Sequence, residues 1–176
     1  MTKGLGSLSE AAKSSSFNAP ALYYQGEILY QQKDRKGADA AWLAAAKSAG
    51  DVVKNNPYDA TARYYHGAAL VRAKKFSEAR EALMIAVRAG FDPTMVNYQI
   101  GLSYLFAESW QEAKAAFDLG LAVDPLFAPI YFYRATAWDK LGRKDNMLID
   151  LDQYVKLAPN GPDANLAKAV LKSTGR

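Results

Sequence analysis

Four small residues, Gly26, Gly67, Gly101 and Ala135, stand 41, 34 and 34 positions apart, each with the same company of larger side chains around it. Three residues before them come Tyr23, Tyr64, Tyr98 and Phe132, and three after come Leu29, Leu70, Tyr104 and Trp138. Twelve after come Ala38, Ala79, Ala113 and Met147, and four further on come Trp42, Leu83, Phe117 and Leu151. Each cycle closes on a proline: Pro57, Pro93, Pro125 and Pro159. Coincidence does not hold so many positions in register through four cycles. The chain is an internal repeat, and whatever it folds into repeats with it.

Within a cycle the apolar residues fall three and four apart, as Tyr98, Leu102, Leu105 and Phe106 do. That is the spacing of one helix face. Glycine in a helix interior costs about 1 kcal/mol relative to alanine. Its recurrence therefore predicts a point where two helices approach too closely for a larger side chain. Trp42, Leu83, Phe117 and Leu151 are predicted to fill the space between neighbouring helices. Proline lacks an amide donor and disfavours helix just before it, so the four prolines mark helix boundaries. Asp59 and Asp124 sit where helix starts need caps. A lone helical hairpin cannot bury its apolar face, so the hairpins must stack.

The expected organisation is an N-terminal extension over 1–18, four hairpins over 19–57, 58–93, 94–125 and 126–160, and a capping helix with its tail over 161–176. Ser7 and Glu10 have capping-box spacing, which allows one helical turn in the extension. The run Ser14, Ser15, Ser16 reads as a flexible joint. The first hairpin carries extra residues before Pro57, predicted to lengthen its second helix by about two turns. Gly50 stands where that helix would bend or break. In the last helix Leu166 and Val170 are one turn apart, with lysines elsewhere.

This pattern resembles the tetratricopeptide repeat. Residues 97–125, NYQIGLSYLFAESWQEAKAAFDLGLAVDP, are the best copy, with Gly101, Tyr104, Ala113, Phe117, Asp124 and Pro125 at the family's positions. The second copy matches nearly as well through Phe76, Glu78 and Ala79. The fourth departs, with Ala135 for glycine, Met147 for alanine and Tyr154 for a small residue. The resemblance spans residues 19–160 and implies an all-α fold, a right-handed α-α superhelix of helical hairpins.

It also implies that the first helices of successive hairpins line a concave groove. The groove residues implied are the ladder Tyr23, Tyr64, Tyr98 and Phe132, with Glu27, Arg72, Leu102, Leu105, Phe106, Thr136 and Asp139 near it. Aromatic side chains give large contact area at low entropic cost, which suits capture of a peptide or helix from a partner protein. The same positions also serve to pack adjacent hairpins, and sequence leaves both roles open. One subset of the family grips acidic C-terminal tails of chaperones through a Lys, Asn and Arg clamp. Tyr23, Glu27, Tyr65 and Gln99 stand at the corresponding places, which argues against that ligand. Beside an adaptor or scaffold, two further readings stand: a self-assembling structural element forming homo-oligomers, and a secretion-type chaperone for a client protein.

Charge and composition narrow the chemistry. Lys and Arg number 22 against 18 Asp and Glu, a net +4. They are scattered, without the continuous stripe that a phosphate track needs, which argues against nucleic acid. Cysteine is absent, so disulfides, thiol nucleophiles and cysteine–metal sites are excluded. With one histidine, His66, no multi-histidine metal site exists. His66 reads as a structural histidine at a helix contact. Asp145, Asp150 and Asp152 lack the glycine turn and closing Glu of a calcium loop and read as a solvated acidic face. Arg63, Arg72, Arg134 and Lys140 read as solvated or ion-paired. Gln25 and Arg134 hold places where the family has an apolar residue.

No phosphate-cradling glycine loop and no nucleophile elbow occurs. The expectation is an interaction module and no enzyme, with no cofactor and no metal. No run reaches the roughly 20 apolar residues of a membrane span. The default compartment is the cytoplasm, or the periplasm if a leader was removed.

Overall fold

Short polar breaks punctuate the chain, and between them the backbone is helical. In a computed structural model, which describes residues 18–174, the helices are α1 (Ala19–Gln31), α2 (Arg35–Asn55), α3 (Ala60–Arg72), α4 (Phe76–Arg88), α5 (Pro93–Phe106), α6 (Trp110–Val123), α7 (Ala128–Lys140), α8 (Lys144–Leu157) and α9 (Ala164–Ser173). No strand occurs among the described residues. The fold is all-α and built of helical hairpins. The readings of a turn at Ser7–Glu10 and a joint at Ser14–Ser16 lie outside the described residues.

One turn geometry recurs inside every hairpin. Lys33, Lys74, Glu108 and Gly142 adopt left-handed backbone, with φ of 66°, 60°, 59° and 72°. Each lies seven residues after its small anchor residue. The next residue's amide bonds back across the turn: Asp34 to the Leu29 carbonyl, Lys75 to Leu70, Ser109 to Tyr104 and Arg143 to Trp138, at 2.9–3.0 Å. This satisfies helix-end carbonyls and reverses the chain within three residues. The second helices begin immediately after. Asp34 caps α2 by accepting from the Gly37 amide at 2.9 Å, and Asp59 caps α3 by accepting from Ala62 at 2.8 Å. Asp124 does not cap α7. It ends α6 and accepts from the Leu126 amide at 2.9 Å, two residues along, while Phe127 occupies the cap position.

The chain divides into two compact units, residues 1–92 and 93–176. In the first, α1 pairs with α2, α3 with α4, and α2 packs on α3. A Cβ placed on Gly67 would lie 2.6 Å from Leu83 Cγ. Gly26 lies equally close against the Trp42 indole. These are the close approaches expected from the repeated glycines. α2 has 21 residues against 13 in α4, two turns more. It runs without a break through Gly50, where a bend or a break was expected, and the missing side chain there makes room for His66, whose Cε1 would be 3.2 Å from an added Cβ. His66 Nδ1 meets the Ala46 carbonyl at 3.0 Å, tying α3 to α2.

In the second unit Phe117 covers Gly101, and Ile130 of α7 sits against Gly120 of α6. Ala135, Leu148, Leu151 and Tyr154 form a core that α9 closes with Ala164, Ala167 and Leu171. The Tyr154 hydroxyl accepts from the Asp163 amide at 3.1 Å, fixing the entry into α9.

Candidate functional site

The first helices were expected to carry a wall of ligand-facing side chains, and each unit disposes of them differently. In the first unit Tyr64 is 1% exposed and its ring stacks on Phe91 at 4.2 Å. Tyr23 is buried, edge-on to Tyr24 and Tyr65. Burial and the neighbouring Tyr24 hydroxyl push the Tyr65 phenol well above the ordinary tyrosine range. Glu27 and Arg72 join α1 to α3, with Arg72 Nε donating to Glu27 Oε1 at 2.8 Å. The same guanidinium lies 5.1 Å from the centre of the Trp42 ring. These ladder residues thus form interior packing and an internal ion pair. Among the described residues of this unit, the aromatic rings more than a third exposed are Tyr24, Tyr30 and Tyr58.

In the second unit Leu102 and Leu105 are buried, and Tyr98 is half-buried against Phe127 and Tyr133. Phe106 is 41% exposed. Phe132, Thr136 and Asp139 come together, one turn apart along α7, as one wall of a groove of about 160 Å³. Met147 and Leu151 of α8 and Leu166, Ala167 and Val170 of α9 form the rest. The Phe132 ring is held edge-on to Tyr133 and tilted on Tyr154, both within 5.5 Å. The Thr136 hydroxyl donates to the Phe132 carbonyl at 3.3 Å. Asp139 is exposed and forms no ion pair among the described residues.

The α8 and α9 half of this groove was not among the expected site residues. Its sequence signal was present in Leu166 and Val170. The core uses Ala164, Ala167 and Leu171, which leaves Leu166 58% exposed at the groove edge. A larger hollow lies beside Asn18 and Leu22, against Lys47, Asp51 and Asn55 of α2. It contains none of the expected residues, and its lining is half polar.

The basic residues read as solvated or ion-paired make contacts within the chain. Arg63 donates to the Pro57 carbonyl at 2.7 Å. Lys140 Nζ lies 5.9 Å from the Trp110 ring centre. Arg134 donates to both Asp150 oxygens, at 2.8 and 2.7 Å, and to Asp118 at 2.7 Å. This network links α6, α7 and α8, and it explains the charged residue where an apolar one was expected. It also takes Asp150 out of the expected solvated acidic face, while Asp145 stays exposed. The Asp150 side chain is only 3% exposed, and Asp152 pairs instead with Lys156. Burial pushes the Asp150 carboxyl up and Arg134 pulls it back, while the two carboxylates hold Arg134 protonated.

One further surface stands out. The solvent side of α6 and the following turn carries Ala115, Leu119, Ala122, Val123 and Leu126, without a charge among them, and Leu119, Val123 and Leu126 are each more than half exposed. The matching sides of α2, α4 and α8 are interrupted by Lys47 and Asp51, by Glu81 and Arg88, and by Lys156. None of the described helices is long and apolar enough to cross a membrane.

A family model described as tetratricopeptide repeat matches residues 98–162. A thermophilic TPR protein of Thermus thermophilus has a similar structure, with a TM-score of 0.71 at 18% identity, over 96% of this chain and 89% of that one. MamA of Desulfovibrio magneticus RS-1, residues 41 to the end, gives 0.60 at 21% identity, over 88% and 84%. No curated protein sequence matches significantly. At these identities the structural likeness speaks for the fold.

Proposed function

Because this chain is a tetratricopeptide-repeat protein, we propose that it is an adaptor that holds a segment of a partner protein against the first-helix wall of its second unit. Proteins of this kind are generally interaction modules without catalysis, and the proposal involves no catalytic step. The observation that carries the reading is the groove at Phe132, Thr136 and Asp139, where expected wall residues meet an open apolar cleft. Elsewhere the expected wall is largely closed by packing. Replacing Phe132 by Ala together with Thr136 by Trp removes an aromatic wall and fills the cleft. Partner capture from native lysate is expected to disappear while the helical circular dichroism persists. Capture retained by a folded double variant would move the site elsewhere.

A second reading, self-assembly, has its own support in the uncharged face of α6. Soluble monomers seldom expose contiguous apolar patches without a use for them. Light scattering across a concentration series should then show mass growth that Leu119→Lys abolishes. A monomer at every concentration would remove this reading and leave the first intact.

A further inference from the structure

The groove of the second unit is small. At about 160 Å³ it falls well below the ~300 Å³ at which cavities begin to hold drug-sized molecules or cofactors. It has room for one large side chain. Its walls are apolar on three helices: Phe132 from α7, Met147 and Leu151 from α8, Leu166 and Val170 from α9. A single charged group lines it, the exposed carboxylate of Asp139. The nearest lysine in sequence, Lys140, has its ammonium at the Trp110 ring and not at Asp139. The groove therefore combines a greasy slot with one negative charge at its edge that no ion pair neutralises among the described residues.

We propose that this groove reads a two-part element in a partner peptide: one aliphatic side chain that enters the slot, and a lysine or arginine within one helical turn of it that meets Asp139. The proposal deepens the adaptor reading above and rests on it. An acidic segment would set like charge against Asp139, so the preferred partner is opposite in sign to the acidic tails that the absent Lys, Asn and Arg clamp would take. The chain's net +4 charge does not draw a basic segment in from a distance. The preference is made at contact, where one carboxylate within a few ångströms outweighs a diffuse field screened over about 8–10 Å.

The test is selection of a random dodecapeptide display library on the intact chain, followed by fluorescence anisotropy on synthetic copies of the enriched peptides. Enriched peptides should share Leu, Ile or Met with Lys or Arg no more than four positions away. Asp139→Asn should weaken them about fivefold, the scale of a partly exposed ion pair. Leu166→Gln should weaken them about tenfold through lost apolar contact. Asp139→Lys should reverse the charge preference, favouring a copy in which the basic residue is Glu. Enriched peptides that lack the pairing, or that bind all three variants like the parent, overturn this proposal while leaving an adaptor that binds elsewhere. Failure to enrich any peptide overturns the adaptor reading and this proposal together.

Discussion

Arg134 and Asp150 show what a single buried charge pair commits a helix seam to. A guanidinium brought among three helices must keep its partners, because a charge left unpaired out of water costs several kcal/mol. Asp150→Asn leaves the guanidinium only the partly solvated Asp118 as a carboxylate partner, and is expected to lower stability by about 1.5–3 kcal/mol, read from urea unfolding. Asp118, 37% exposed, is partly solvated in either state, and Asp118→Asn should cost about 1 kcal/mol or less. Removing both buried charges together, as Arg134→Met with Asp150→Leu, should cost much less than Asp150→Asn alone. Equal losses would mean that the pair itself, and not an orphaned charge, holds the seam. At Tyr65 the sign is set by burial. Its folded pKa is raised above 10.0, so its contribution to stability is complete below pH 10 and is lost as pH rises beyond it. Each proton released on unfolding lowers stability by about 1.4 kcal/mol per pH unit. Tyr65→Phe should flatten the alkaline limb relative to the parent, and parallel limbs in denaturation above about pH 10 would contradict this assignment.

At the scale of the helix, the repeat imposes two requirements that differ in how visibly they are written. The glycine approach needs one residue type, since a Cβ on Gly101 or Gly67 would strike the Phe117 or Leu83 side chain. That requirement showed in the sequence as a rhythm. An exposed helical Gly→Ala change normally stabilises by about 1 kcal/mol; Gly101→Ala should instead destabilise by about 1–3 kcal/mol through overpacking. The turn requirement was illegible. Left-handed backbone recurs at Lys33, Lys74, Glu108 and Gly142, but only the last is a residue that announces it. The others tolerate the strain because flanking hydrogen bonds hold the turn. Lys74→Gly is accordingly expected to stabilise by about 0.5–1 kcal/mol, the left-handed penalty less the extra entropy glycine loses. A thermal midpoint that falls would show that the lysine side chain contributes more than its backbone costs. Asp124 failed as a cap for a related reason: its carboxylate bonded the amide two residues along, a local competition that spacing does not reveal.

Across the whole molecule, the chain divides between Asp92 and Pro93, at the close of the second cycle, and nothing in the rhythm sets that close apart from the others. Phe132, Thr136 and Asp139 came from the first-helix wall that the resemblance implies, and they line the candidate groove. Of the opposite wall, the rhythm marked Met147 and Leu151 only as cycle positions, Leu151 for packing between helices, and it missed Leu166 and Val170 because α9 belongs to no cycle. Tyr23 and Tyr64 had the same periodic signature as Phe132 yet went to the interior, since period alone does not say which side of a helix another helix covers. The division makes an energetic prediction. Stability in repeat arrays is a sum over units and nearest neighbours, and local opening is governed by the free energy of the unit that opens. A defect in one unit should therefore be read mainly there. In native-state hydrogen exchange, Gly67→Ala should accelerate amides of residues 18–92 by about tenfold for each 1.4 kcal/mol lost, with amides of 93–174 within about twofold of the parent. Asp150→Asn should give the mirror pattern. If both variants instead quicken the slowest amides of both units alike, those amides exchange through one global opening, and the chain is a single cooperative body despite its division into two compact halves.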